Sequence, residues 1–400
     1  MPKTRTTRQR LPLQVLMFAW VSLLNEVSAQ MVAPLIPVLL ATVLAAGPVA
    51  IGLVEGAAEA VAAFVKLWSG RHADLHPQRR KALVVLGYGL ALASRPLIGL
   101  AAHWTAVAGL RATDRFGKGI RNAPRDAILA DTTPRDMQGR AYGLNRGMDY
   151  AGAVIGTLIA AASLAWGGLR IEQVIVMSAL PGLAVLVLLT LLPAPETTGD
   201  AGVSLDMAPA PPQLLRWSRL PPGLRVLLTM VTLFTLARAS EAFIVLRGHE
   251  LGLTVVELLL LWAWLAALQS AAALVAAPWT DRVAKQRLVP WHWTSLALGW
   301  AALASASSAA GLWFAITVYG LLSGISEGVE RALVSEQAGL LAKGTAFGWY
   351  YLLTGLAALA AGLMFGGLWQ WLGPSVAFGA AATIAMACAT GFRSVANRIG

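Results

Sequence analysis

Charge is what this chain has least of. Only 13% of its 400 residues are Asp, Glu, Lys or Arg, about half the share of roughly 25% carried by soluble globular domains. Cysteine is rarer still. Cys388 is the only one, so no disulfide can close within the chain and a paired-thiol redox site is excluded. None of the five histidines is expected deep within an apolar segment, and His72 and His76 are the one pair spaced for a metal; no metal and no cofactor is expected. No segment alternates apolar with polar residues as a barrel strand would; "LPGLAVLVLLTLLP" (180–193) is apolar throughout. A phosphate-binding loop is missing too. Lys118 in "FGKGIR" is followed by Gly119 rather than Ser or Thr, and no strand precedes it, which excludes ATP as the energy source.

What is present is hydrocarbon. The composition is 57% hydrophobic with a mean hydropathy of +0.65, values that make lipid the solvent. Apolar runs long enough to span a bilayer, about 20 residues each, are expected at 12–43, 49–69, 82–101, 104–124, 141–165, 173–193, 223–246, 252–278, 289–306, 312–334, 345–368 and 374–392. Each should be a helix, because an unpaired peptide group in hydrocarbon costs several kcal/mol and a helix satisfies its own. "MPKTRTTRQR" leads into the first run without a small-residue cleavage site and reads as a cytoplasmic tail before a retained span.

The basic residues orient these runs. With the N-terminus inside, segments 1–10, 71–81, 125–140, 194–225, 281–287, 343 and 393–398 hold 20 Lys and Arg, whereas the opposite loops hold Arg170 and Arg247 alone. Cytoplasmic loops carry such an excess in inner-membrane proteins. Twelve spans with both termini cytoplasmic satisfy it, and the net charge of +11 then reflects topology rather than a nucleic-acid partner. The expected setting is a bacterial inner membrane, multi-pass; the expected partners are the bilayer, a small solute and protons, with the chain a monomer.

A Pro-, Gly- and Ala-rich stretch separates two units: an N-terminal bundle at 1–193, a linker at 194–222 and a C-terminal bundle at 223–400. The units echo each other. "GRHADLHPQRRKAL" (70–83) answers "APWTDRVAKQRLV" (277–289), with Asp74 and Asp281 207 residues apart. "GRAYGLNRGMDYAGAVIG" answers "GTAFGWYYLLTGLAALAAG" at an offset of 205, and "PRDAILAD" answers "ERALVSEQ" near the same offset. Recurrence at one offset points to a duplicated six-helix unit.

This pattern resembles the major facilitator superfamily of secondary transporters along the whole chain. The family's loop signature is roughly G-x-x-x-D-R-x-G-R-R. Gly70, Asp74 and Arg79 match it, and Arg80 follows one place late; Leu75, Pro77 and Gln78 depart. In the second copy Asp281 and Arg282 match, with Ala277 and Ala284 where glycines are common. The resemblance implies an all-α fold of two pseudo-symmetric six-helix bundles that rock around a central cavity, a permease, with a membrane-embedded enzyme or a non-transporting sensor on the same fold as the alternative, and a conformational latch at Gly70, Asp74, Arg79, Arg80, Asp281 and Arg282. The family's fourth span carries an Arg followed by Gly-x-Gly, which Arg111 with Gly117 and Gly119 resembles at looser spacing, so that Arg111 alone carries over; Gly143, Gly147, Gly152 and Gly156 resemble a glycine motif of its antiporters. No Pro follows Gly152, so close helix packing competes with the efflux reading there.

Charges within the spans mark candidate sites, because they are expensive in lipid and face a bundle interior or an aqueous path. At about 100° per residue, Arg111, Asp114, Arg115, Lys118, Asn122 and Arg125 share one face of the fourth span. Two readings are open: a stripe lining a cavity, or an ion-paired buttress. Glu26, Glu241 and Asp149 are candidate proton carriers, with Arg146 and Arg238 beside the latter two. Glu55, Glu59 and Lys66 share a face of the second span, and Lys66 is expected to pair there for structure alone. "GISEG" (324–328) lacks the strand and the triad partners that a nucleophile elbow needs.

Overall fold

The computed structural model describes residues 12–133, 137–191, 217–238, 240–280, 282–324, 329–338 and 343–395. Helix is the only extended secondary structure among them. The N-terminal set comprises α1 (Leu13–Val32), α2 (Leu35–Val38) with a π-helical turn (Leu39–Val43), α3 (Pro48–Leu75), α4 (Arg80–Ile98), α5 (Trp104–Asp131), α6 (Gln138–Ala165), α7 (Ile171–Met177) and α8 (Ala179–Thr190). The C-terminal set comprises α9 (Pro222–Thr235), α10 (Ala242–Glu250), α11 (Val255–Thr280), α12 (Lys285–Ser305), α13 (Ala309–Gly324), α14 (Val329–Ala338), α15 (Lys343–Leu372) and α16 (Pro374–Val395).

Among the described residues, nine helical rods are long and apolar enough to cross a membrane. The other three predicted segments are also helical, and each departs from a plain span for a visible reason. Helix α5 has the length, at 28 residues, but carries too many charges. The apolar α9 has only 14 residues before the chain turns and resumes as α10. Helix α12 holds Lys285, Arg287 and His292 within its first turns.

Large apolar side chains cover the outside, the reverse of a water-soluble protein. Val275, Trp371, Leu274 and Phe314 are 70% exposed or more, a surface that only hydrocarbon would cover without a large hydrophobic penalty. Following the chain back and forth puts exposed Trp166 and Trp371 at one end of the bundle and Trp68 and Trp291 toward the other. Belts of Trp at two levels suit the two headgroup regions of a bilayer.

Glycine sets how the helices approach. Gly52 of α3 and Gly362 of α15 meet so closely that a Cβ on either would fall on the other's carbonyl. The contact extends to Gly366 against Pro48 and to Gly355 against the Ala63 methyl, and α2 packs on α10 at the same end. The two helix sets are thus held together at the end opposite the chain termini. Gly117 lies against the backbone of Gly87, and Gly119 against Val65, the close approach expected of α5. In α6, Gly152 and Gly156 press on the backbone of α1, while Gly143 and Gly147 face open space. Close packing is what the glycines of α6 do where they touch anything.

The apolar run predicts a fourth span ending at residue 124, yet α5 continues through Pro124 to Asp131. The extension brings Asp131 to Arg80, whose Nη1 donates to Oδ2 at 2.6 Å.

Candidate functional site

Helix breaks bring polar groups to the centre. The first rod is interrupted after Val32, where Pro34 and Pro37 follow, and the seventh after Thr235, where Arg238, Ser240 and Glu241 lie between α9 and α10. The two breaks sit at closely corresponding places in the two sets. Backbone groups released at such breaks can be satisfied only within protein or against an aqueous cavity.

A cavity of about 690 Å³ lies there, bounded by helices of both sets. The N-terminal wall is charged: Glu26, Glu55, Glu59, Lys66, Arg95, Arg111, Asp114, Arg115, Lys118 and Arg121. The C-terminal wall is aromatic and hydroxylic: Trp262, Trp300, Tyr319, Tyr350, Tyr351, Ser323 and Thr354, with Arg238, Glu241, Gln269, His292, Glu330 and Arg331 among them.

A linked lattice binds much of the charged wall. Arg95 donates from Nε to Asp114 Oδ1 at 2.8 Å and from Nη1 to the Asn25 carbonyl at 3.1 Å. Arg111 straddles Glu55, with Nε to Oε1 at 3.1 Å and Nη2 to Oε2 at 3.2 Å, and its Nη1 reaches Asp114 Oδ2 at 3.4 Å. Arg95, Arg111 and Asp114 are each 6% exposed or less. Two-pronged Arg–carboxylate pairs are the geometry that makes such burial tolerable. Arg115 Nε stands 3.5 Å from Glu59 Oε1, close enough for an ion pair but without a hydrogen bond of its own.

Two carboxylates near the breaks are held by amides. Gln30 donates to Glu26 Oε1 at 2.8 Å, and its Oε1 accepts from Trp262 Nε1 across the cavity at 3.0 Å. Gln269 donates to Glu241 Oε1 at 2.8 Å and to Ser323 Oγ at 3.2 Å. Deeper in the C-terminal wall, Glu330 accepts from Arg238 Nη2 at 3.1 Å and from Trp293 Nε1 at 2.8 Å.

Of the residues marked from sequence, Glu26, Arg111, Asp114, Arg115, Lys118, Arg238 and Glu241 line the cavity. Arg146 is exposed on α6, Asp149 is half-buried, and neither reaches the lining. The α5 stripe faces the right way but ends one turn early: Arg121 lines the cavity where Asn122 and Arg125 do not. Arg125 lies about 6 Å farther along the axis than Arg121, at 1.5 Å per residue, and bonds Asp126 and Ser22 instead.

Other expectations are corrected by packing. His292 is 6% exposed and lines the cavity, because α12 begins at Lys285 and carries it two turns inward. Lys66 also faces the cavity, with Nζ 5.9 Å from the Tyr351 ring centre. Glu257 caps the start of α11, accepting from the Thr254 backbone N–H at 2.8 Å. Around the loop signature, Arg80 clips the carbonyl of Ala73 at 2.9 Å as well as Asp131. Arg79 and Arg282 are exposed, and a side chain at Gly70 would meet only ordinary contact with Ala123. Asp281 and the side chain of Asp74 lie outside the described residues. Arg95, Glu55, Arg121 and Glu330 were visible in the sequence only as buried charges; their proximity to one cavity had no local signal.

The all-helical arrangement agrees with the fold of similar proteins. Residues 18–361 match the family described as Major Facilitator Superfamily. The chain belongs to that superfamily. Its members are transporters, not enzymes. An uncharacterized MFS-type transporter of Methanocaldococcus jannaschii is 26% identical over 385 residues, covering 94% of this chain and 93% of that protein. An uncharacterized protein of Mycobacterium tuberculosis is 35% identical over 202 residues, 49% of each chain. A solved structure of a variant of the nucleoside transporter NupG superposes with a TM-score of 0.77 at 11% identity, covering 95% of this chain and 99% of that one; the likeness is one of fold.

Proposed function

We propose that this transporter is a proton-coupled permease of the bacterial inner membrane that moves a small organic solute by alternating access, with a lean to efflux of an anionic or amphipathic compound. Twelve spans in two six-helix bundles, both termini cytoplasmic, form its frame. The observation that carries the reading is the central cavity, which is bounded by both helix sets and joined across by the Gln30–Trp262 bond. A site shared between two rocking bundles is exposed to either side in turn without opening a channel. In this state the sets are held together at the end opposite the termini, which the positive-inside reading makes the outer face.

Proton coupling rests on Glu26 and Glu241. An amide is a suitable neighbour for a carboxyl that changes protonation, since it can donate to the anion or accept from the acid. Arg111 and Asp114 serve as coupling residues within the ion-pair lattice, Arg115, Lys118 and Arg238 contact the solute, and Arg146 and Asp149 act from behind the cavity wall. The loop residues Gly70, Asp74, Arg79, Arg80, Asp281 and Arg282 form the latch, for which the Arg80 clip is the supporting contact. In proteoliposomes containing a pH-sensitive dye, solute addition should move protons in the wild-type chain and not in Glu26→Gln or Glu241→Gln. Solute flux with no proton movement in the wild type would sink the coupling; no flux with any organic anion would sink the permease.

A further inference from the structure

The cavity lining is not electrically balanced. Among the described residues it carries eight Lys or Arg against six Asp or Glu, a surplus of two positive charges. The lattice accounts for Arg95, Arg111 and Arg115, and Arg238 is matched with Glu330. These pairs leave four lining cations, Lys66, Lys118, Arg121 and Arg331, of which Lys118 and Arg121 sit together on α5.

Arg121 is the more telling of the two. It is 3% exposed, lines the cavity, and has Nε and Nη1 buried without any hydrogen-bond partner. Its guanidinium lies 4.4 Å from the Tyr88 ring centre, so a stacking contact holds its plane while leaving the donors unused. A buried cation with idle donors is destabilising unless something arrives to pair with it. Lys118 is one turn away on the same face, with Cβ atoms about 5–6 Å apart at this spacing. Arg115 lies one turn beyond Lys118.

We infer that Lys118 and Arg121, with Arg115 beside them, form the anion subsite of this cavity, and that the solute is an organic phosphate monoester. The inference rests on the permease reading and adds the chemical class of its substrate. One tetrahedral centre bearing nearly two negative charges matches the surplus, and its clustered oxygens can meet a guanidinium fork and an ammonium one turn apart. Two separate carboxylates would have to spread over a longer stretch of helix. The opposite wall offers Tyr350, Tyr351 and Trp300, which suits a ring or flat apolar body on the ester.

The test is binding to the full chain in lipid nanodiscs, read by Trp fluorescence and by Tm, with phenyl phosphate, benzoate, phthalate, inorganic phosphate and benzyl alcohol as probes. Phenyl phosphate should bind at least about tenfold more tightly than the other four, the effect of one charge-assisted contact. Arg121→Gln and Lys118→Gln should each weaken phenyl phosphate about tenfold and leave benzyl alcohol unchanged, and Arg121→Lys should recover part of the loss. Without ligand, Arg121→Gln should keep or raise Tm, because it removes a buried unpaired charge. Phthalate or benzoate matching phenyl phosphate would overturn the substrate class. Unchanged phenyl phosphate affinity in Arg121→Gln and Lys118→Gln would overturn the subsite. The ranking of probes in the wild type decides the class even where a variant fails to fold. Proteoliposome flux of some other anion alongside failed phosphate binding would leave the permease standing and remove only this inference.

Discussion

Arg111 and Arg125 lie on the same face of the same helix and differ in what they touch. Arg111 commits its fork to both oxygens of Glu55 and a third nitrogen to Asp114; lysine, a compact ammonium on a flexible stem, has no planar fork to reproduce the two-pronged pair. Arg125 pairs with half-exposed Asp126 beyond the cavity, where screening weakens any pair to about 0–1 kcal/mol. Arg111→Lys is therefore expected to lose most transport and Arg125→Lys to keep most of it, measured as initial uptake rates at equal protein density. Equal rates in the two variants would make the Arg111 pairing a passive brace.

Helices α3 and α15 are joined by glycine rather than by side-chain interlock. Any Cβ at Gly362 meets the carbonyl of Gly52 and the Gly56 Cα, backbone that cannot swing aside. Gly362→Val should force the two helices apart, lower Tm by several degrees through overpacking of about 1–3 kcal/mol, and abolish transport by preventing closure at this end. Gly143→Ala on α6, where a Cβ meets nothing within 4 Å, is the control and should leave both unchanged. If Gly362→Val transports normally, the α3–α15 contact does not close the cavity.

For the whole molecule, orientation is the decisive property. Cysteines introduced at Gly47 and Gly311 should react with a membrane-impermeant maleimide in intact cells, and those at Gln78 and Ala284 only after permeabilisation. The opposite pattern would invert the orientation and with it the direction assigned to the cavity. Such labelling is interpretable because the native Cys388 is buried.

The sequence by itself determined what is additive along the chain. Hydrophobic runs specify helices because each helix answers its own peptide groups, and the loop Lys and Arg bias orientation because that signal is a count. The α5 stripe was legible for the same reason, since it depends on spacing within one helix. Tertiary packing alone decided which charges meet. Glu55 and Arg111 are 56 residues apart, Gln30 and Trp262 are 232 apart, and no periodicity connects them. Tertiary packing also cut the cavity off at Arg121, moved His292 and Lys66 onto its wall and kept Arg146 and Asp149 off it. A helical wheel gives an angle, but the depth of a residue and the partner across from it exist only once the helices are assembled.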